Sequence, residues 1–523
     1  MILFKNKKDA VFALLYGFLF CFINFFIYKG SDWMNLNTGI FIQIIILSLL
    51  MSLFVGEIYL RIKALLRNKD LFVDNDVNKA SGYYVKTFLV HFLSYFVVFL
   101  AYYPGIFAYD VHHQLAVYST KHPLLHTLFI RFFYYVIGGQ VFKNYNIGIA
   151  FATVTQIIIF SLMISLLHYV IYRVNIKKVY RYIMIGFSCL CPIFSVLVIS
   201  HTKDIFFTGF FIVFISCVFA EEFNVNLKNY NLLFMISVVG LCLFRNNCMY
   251  AFVLVLFYFL IKKILLKKEI NRKMIISIIA SIAISFVIST GLKIVLQAQD
   301  VSKNQFLSIP YQQIANVYHK EYNSLDKETK EFCEFIMQDI DLYNIHIADD
   351  LKSTGRALAD PVKFVTTYIK LGMKYPLDYI NAFLQTNSGF LYVLDTSTAS
   401  LYTDDPSLRM GYLATFYWKD FGVETQSKIP FIFDAYEYLF TYNNYQKAYL
   451  IRPIFEYAIY IWLIILIVFY YIQDRDDTFE LANVFIILYM ISVFMGPCAL
   501  VRYAFPFIAV VPLFIVSYVV KSN

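Results

Sequence analysis

Between Tyr102 and Thr127 the chain reads YYPGIFAYDVHHQLAVYSTKHPLLHT. The stretch follows an apolar run at 87–101 and holds Asp110, Gln114, Lys121 and four of the nine histidines, His112, His113, His122 and His126. Ionisable groups beside membrane-spanning segments are costly unless they pair or line a wet cavity, so such a cluster reads as a functional site. A carboxylate there can act as general base toward a hydroxyl while imidazoles or amides orient it. Asp110 takes the central role on that reasoning, His112 and His122 orient it, and His113 and Gln114 face a substrate. Polar decoration of an interfacial helix is the competing explanation. His122 and His126 also stand one helical turn apart, as metal ligands can. Pro123 follows His122 directly and no second carboxylate lies within ligand spacing, so hydrogen bonding is the expected role of these imidazoles and no metal site is assigned.

Three further polar interruptions carry the remaining candidates. In Ser200-His201-Thr202-Lys203-Asp204, pinned between two apolar runs, Lys203 can point at a phosphate and Asp204 can steady it or serve as a second catalytic carboxylate. A snorkelling lysine beside a helix-capping aspartate fits those two residues equally well. Arg245-Asn246-Asn247 separates two short apolar segments, and no acidic residue occurs in 223–268 to pair with the arginine. A planar guanidinium suits a phosphate at bilayer depth, with Asn246 beside it for the substrate. Arg502, after Gly496-Pro497, is a third phosphate candidate. Gln312 and Gln313, in SIPYQQ, suit sugar hydroxyls, although a packing role is open to both.

The elements that must position these residues are apolar. Of 523 residues, 60% are hydrophobic and 15% charged, with a mean hydropathy of +0.64, which excludes an ordinary soluble protein. Crossing a bilayer takes about 20 apolar residues. The pattern predicts an all-α polytopic membrane protein with about twelve spans, near 10–28, 40–60, 86–103, 147–172, 183–200, 205–222, 231–244, 248–261, 274–296, 453–472, 480–497 and 502–520. Residues 1–85 form a hairpin and cytoplasmic loop, 86–296 a membrane module with an outer loop at 104–146, 297–452 a mainly helical extracytoplasmic domain with a turn-rich stretch at 396–407, and 453–523 the last helices. Residues 297–452 carry 14 Lys/Arg against 19 Asp/Glu, whereas the rest carries 30 against 16. Because the basic excess recurs beside apolar runs, it reads as cytoplasmic loops obeying the positive-inside rule and not as a nucleic-acid surface. Both termini then lie in the cytoplasm, provided that 124–142 lies in or dips into the outer leaflet without crossing. The eight cysteines form no zinc or redox spacing and read as small core residues.

The segments YPGIFAYDVHHQ (103–114), KHPLLHT (121–127), HTKD (201–204), FRNN (244–247), IPYQQIA (309–315) and GPCALVRYAFP (496–506) together resemble the multi-spanning GT-C glycosyltransferases, and more closely a bacterial family of uncharacterised polytopic proteins grouped with them. The resemblance implies a sugar donor linked to a polyprenyl phosphate, an extracytoplasmic glycan or lipid acceptor, an acidic catalytic residue at Asp110, and lipid-phosphate contacts from Lys203, Arg245 and Arg502. No cofactor is expected: where metal-using members carry an Asp-x-Asp pair for a divalent cation, the second position after Asp110 is His112. A polymerase or ligase working on two lipid-linked glycans, or a flippase, are the alternatives.

Overall fold

The computed structural model describes residues 7–73, 82–108, 110–267, 271–301, 303–394, 419–440 and 444–521. The turn-rich 396–407 stretch lies outside them. Far from water, a backbone satisfies its own polar groups most simply as helix. Among the described residues, all regular structure is helical and extended contacts are isolated bridges.

The chain opens with α1 (Lys7–Gly30), α2 (Thr38–Leu66), the short α3 (Lys69–Phe72) and α4 (Tyr83–Ala101). Two short helices follow, α5 (Val111–Ala116) and α6 (Leu124–Arg131), the latter winding on as a π-helix over Phe132–Val141. Next come α7 (Tyr145–Arg173), α8 (Lys178–Leu190), α9 (Pro192–Val198), α10 (Lys203–Glu222), α11 (Tyr230–Phe244), α12 (Asn246–Leu266) and α13 (Arg272–Val295). A run of shorter helices then comprises α14 (Ser308–Lys320), α15 (Lys327–Ile336), α16 (Asp349–Ser353), α17 (Pro361–Lys374), α18 (Pro376–Thr386), α19 (Ser388–Leu391), α20 (Pro430–Phe440) and α21 (Arg452–Phe455). The chain closes with α22 (Tyr457–Asp474), α23 (Glu480–Phe494) and α24 (Val501–Lys521).

Ten helices among the described residues are long and apolar enough to cross a membrane, as befits a multi-pass membrane protein. This is two fewer than the expected twelve, for identifiable reasons. The expected span 183–200 is two helices, α8 and α9, bent by 48° at Pro192, whose ring removes a backbone donor. The apolar α11 and α23 have only 15 residues each, while Leu124–Val141 does meet the length and hydropathy needed.

Hydrogen bonds between loops sort the bundle into two ends. At one end Ile106 pairs with Ser200, Ser119 with Gln299, and the Ala348 amide with the Pro497 carbonyl. At the other, Lys63 and Arg67 meet Asp474, the Lys177 amide meets the Phe72 carbonyl, Asn271 meets Glu221, and Lys262 meets Asp477 and Glu480. The Asp110 loop belongs to the first end. In the middle, α10 packs against α7, α11 and α24. Buried residues make up 89% of its apolar window and 78% of that of α24, so these two helices fill the bundle's centre.

Residues 297–452 do not gather around one core. Tyr311, Ile314, Phe332, Ile336 and Leu371 form a separate small core, but Leu384, Phe390 and Leu391 join that of the bundle. The join is polar as well: Asn381 donates to the Gly30 carbonyl, Gln385 to that of Ile27, and Lys320 to both Leu36 O and Asp378 Oδ1 at 2.7 Å.

This docking is testable. Asp378 is buried, so Lys320→Met leaves its carboxylate without the ammonium and should cost about 3–5 kcal/mol, lowering the apparent melting temperature of the purified protein. Adding Asp378→Asn should restore part of the loss. An unchanged melting temperature in the single variant would exclude the docking role.

Candidate functional site

After α4 the chain turns sharply through a cis Tyr103–Pro104 bond and Gly105, whose φ of +123° disfavours any L side chain. Space excludes one as well, because a Cβ here would overlap the Thr153 hydroxyl and crowd the His201 ring. The turn lets the chain run beside the end of α9. The Ile106 amide donates to Ile199 O and the His201 amide to Ile106 O, both at 3.0 Å. Buried polar groups from α7 lock this pairing: Thr153 donates to Pro104 O at 2.6 Å and stands 2.8 Å from His201 Nε2, while Gln156 donates to Val198 O and Ser200 O. The start of α10, with Lys203 and Asp204, is thereby fixed relative to Asp110.

Two supports back the loop. Arg131, an unexpected cation in an apolar helix, lies 3.8 Å over the Tyr118 ring and donates to the carbonyls of Gln114 and Leu115, capping the end of α5. Residues 419–429 form a strap on the same side. Tyr134 donates to Phe421 O, Asn146 exchanges two hydrogen bonds with the Glu424 backbone, the Gln426 amide donates to Tyr103 O and the Lys428 amide to Leu100 O.

Within this frame six ionisable side chains from four parts of the chain converge. Asp110 Oδ2 lies 3.1 Å from Lys203 Nζ, 3.3 Å from Arg502 Nη1 and 3.6 Å from His122 Nδ1. Asp204, fully buried, has Oδ1 3.4 Å from Arg245 Nη1 and Oδ2 3.8 Å from Arg502 Nε. Arg502 thus spans both carboxylates. Tyr503 stands between the arginines: its hydroxyl accepts from Arg502 Nη2 at 3.1 Å, and its ring lies 4.7 Å from the Arg245 guanidinium. Arg245 also donates to the Tyr489 hydroxyl and lies over the Phe207 ring.

Burial alone would raise the Asp110 carboxyl, but Lys203, then Arg502 and His122, hold it well below the ordinary carboxylate range. Burial, reinforced by Lys203, pushes His122 down to about 3, and burial takes His201 down to about 4. Both imidazoles are neutral at pH 7. Three cations therefore face two carboxylates, leaving one positive charge in excess. Three helix N-termini add to it: Lys203 opens α10, Arg245 precedes α12 and Arg502 lies in the first turn of α24. Each carries roughly half a positive charge, so the arrangement is built to receive an anion beside a carboxylate.

Of the twelve residues expected at a site, Asp110, His122, Lys203, Asp204, Arg245 and Arg502 share this cluster. The exposed His113 ring lies 6.0 Å from that of His122, and the His112 ring 5.4 Å from that of His113. Gln114 is buried behind the loop and bonds His126 Nδ1 and Thr127. Asn246 is exposed as the first residue of α12. Gln312 and Gln313 are elsewhere, buried in α14, donating to Asn344 O and Tyr379 O inside the 297–452 segment. Of the arginine cage, Tyr503 lies in GPCALVRYAFP beside Arg502, whereas Tyr489 and Phe207 carried no sequence signal in a chain with 43 tyrosines and 55 phenylalanines. Thr153, Gln156 and Arg131 did, as polar residues inside apolar runs. Among the described residues, no three His, Cys, Asp or Glu side chains gather where they could hold a metal ion.

Residues 109–523 match the model of a family described as a family of unknown function, DUF6020. No curated protein and no solved structure matches the chain.

The Arg245–Asp204 pair answers why an arginine tolerates this depth, and its coupling can be measured. Arg245→Ala should destabilise the protein by about 3–5 kcal/mol, since it strips a fully buried carboxylate of its nearest cation. Pairing it with Asp204→Ala should recover much of that in a double-mutant cycle followed by thermal unfolding. Additive losses would exclude the pair.

Proposed function

The chain belongs to DUF6020, a family of unknown function, and we propose that it is a membrane glycosyltransferase moving a sugar from a polyprenyl-phosphate donor to an extracytoplasmic glycan or lipid acceptor. The observation that carries this reading is the convergence of Lys203 and Arg502 on a partly accessible carboxylate, Asp110, whose side chain is 29% exposed, with Arg245 on the adjoining Asp204 and three helix N-termini at the same cluster. A phosphate monoester or diester at membrane depth needs such cations and dipoles, and a hydroxyl acceptor needs such a carboxylate. In the reaction, Asp110 accepts the proton of the acceptor hydroxyl as its oxygen attacks the anomeric carbon. The bond from that carbon to the phosphate oxygen breaks, its electron pair stays on the phosphate, and Lys203, Arg245 and Arg502 stabilise the charge that develops there. Attack opposite the leaving group inverts the anomeric centre. His122, neutral and 3.6 Å from Asp110, orients the base.

The bundle's sidedness supports the same reading. Leu124–Val141 keeps its hydrogen bonds at the Asp110 end, with Gln114, Leu115 and Phe421. If it stays there, α8 with α9 makes one pass, α11 and α23 one each, and the chain passes between the ends twelve times. Lys63, Arg67, Arg173, Lys177, Lys178 and Lys262 then share the far end with both termini, which the positive-inside rule puts in the cytoplasm. Asp110 faces outward. A flippase is less well served, because α10 and α24 fill the centre through which a substrate would move.

Two measurements test this. Purified Asp110→Asn, offered polyprenyl-phosphate sugars and a membrane glycan fraction, should lose about 10²–10⁴ in transfer rate while remaining folded; near-normal turnover would end the catalytic assignment. On intact cells, a cysteine replacing the exposed Ser353 should react with an impermeant thiol reagent and one replacing the exposed Lys263 should not. The reverse pattern would turn the site toward the cytoplasm and remove the proposed acceptor.

A further inference from the structure

The cations assigned to the donor are already engaged. Lys203 and Arg502 both hold Oδ2 of Asp110, at 3.1 and 3.3 Å, and Arg245 and Arg502 flank the oxygens of Asp204 at 3.4 and 3.8 Å. Of the two carboxylates, Asp204 is fully buried on the first turn of α10 and has nowhere to go. Asp110 is different, being the more exposed of the two and sitting at the start of a helix only six residues long. Among the described residues a further ionisable neighbour of Asp110 is His122, whose ring nitrogens are buried and make no hydrogen bond there. The site as it stands also presents a poor base. Oδ2 of Asp110 is committed to a lysine and an arginine, and two cations that close lower the affinity of the whole carboxylate for a proton.

We propose that the donor phosphate binds by taking Lys203 and Arg502 from Asp110, so that the carboxylate swings toward His122 and becomes free to accept a proton only once the donor is in place. This rests on the reading of the cluster as a phosphate-binding glycosyltransferase site and adds an order to it. The donor must precede acceptor activation. Every charge near Asp110 fits the exchange. From α10, Lys203 moves its ammonium to the phosphate. From α24, Arg502 keeps Asp204 through Nε while Nη1 transfers, with the Tyr503 hydroxyl still accepting from Nη2. From the 117–123 loop, His122 offers a buried nitrogen that can donate to the released carboxylate, and His113 lies beyond it. The exchange is neutral in count: one anion replaces another on the same two cations, and no proton or electron is gained or lost until the acceptor arrives.

The experiment is binding of a C55 polyprenyl monophosphate to the full-length protein in detergent. Because the Asp110 carboxylate competes with phosphate for the same cations, Asp110→Asn should bind the lipid more tightly than wild type, by about tenfold or more. Asp110→Glu, which keeps the competing charge, should not. If wild type binds the lipid phosphate and Asp110→Asn binds it equally or less well, the exchange is wrong while the phosphate site stands. If neither binds it, and Lys203→Ala and Arg502→Ala are also without effect, the glycosyltransferase reading fails and the exchange with it. A readout on wild type alone guards against an Asp110→Asn protein that does not fold. Adding the lipid phosphate should shift the carboxylate stretching bands in an infrared difference spectrum, and a flat carboxylate region overturns the exchange.

Discussion

The grip of Arg502 on two carboxylates at once is the interaction on which the rest of the site depends. Asp110 and Asp204 lie 94 residues apart in sequence, on a short loop helix and on the central helix of the bundle, and neither could keep its charge there without a cation brought from elsewhere. Carrying an ion out of water costs several kcal/mol, and what offsets that cost is geometry. Here the geometry comes from α24, which among the helices long enough to span a membrane is the most buried after α10. Removing the arginine would leave Lys203 alone to match Asp110 and Arg245 alone to match the fully buried Asp204.

The same logic explains the neutral atoms around the cluster. Gly105, Thr153, Gln156 and His201 carry no net charge at pH 7, yet they hold the 105–107 segment against 199–201. They fix the spacing at which an aspartate and a lysine from separate elements come to 3.1 Å. Charge assembles the site and the neutral frame sets its dimensions.

How much of this could be read in the sequence follows from which atoms do the binding. Asp110, Lys203, Asp204, Arg245 and Arg502 stood out because an ionised side chain in an apolar stretch has few reasons to be there, and pairing is the chief of them. Gln312 and Gln313 left two roles open for the converse reason. An amide satisfies a buried carbonyl as readily as a sugar hydroxyl, and in α14 it does the former. The strap at 419–429 was invisible because its hydrogen bonds to the loop run through the backbone of Phe421, Glu424, Gln426 and Lys428, and backbone atoms leave no mark on residue type. The broken α8–α9 pair had its cause in plain view at Pro192, but an apolar run of spanning length outweighed it. Twelve hydrophobic runs predicted the helices well and the bends poorly.

The strap and Arg502 have a bearing on biogenesis. Asp110 enters the bilayer's edge early in synthesis, whereas its arginine is 392 positions downstream, in α24. Until then the central helix carries Asp204 with Arg245 alone to match it, and the Asp110 loop lacks the backbone partners that residues 419–429 supply. A nascent chain therefore holds its most polar groups in a half-matched state through most of translation, a condition in which membrane chaperones and quality-control proteases find their substrates. Stop codons anywhere before residue 502 would leave that state permanent, so truncated products should be short-lived even when every preceding helix is intact.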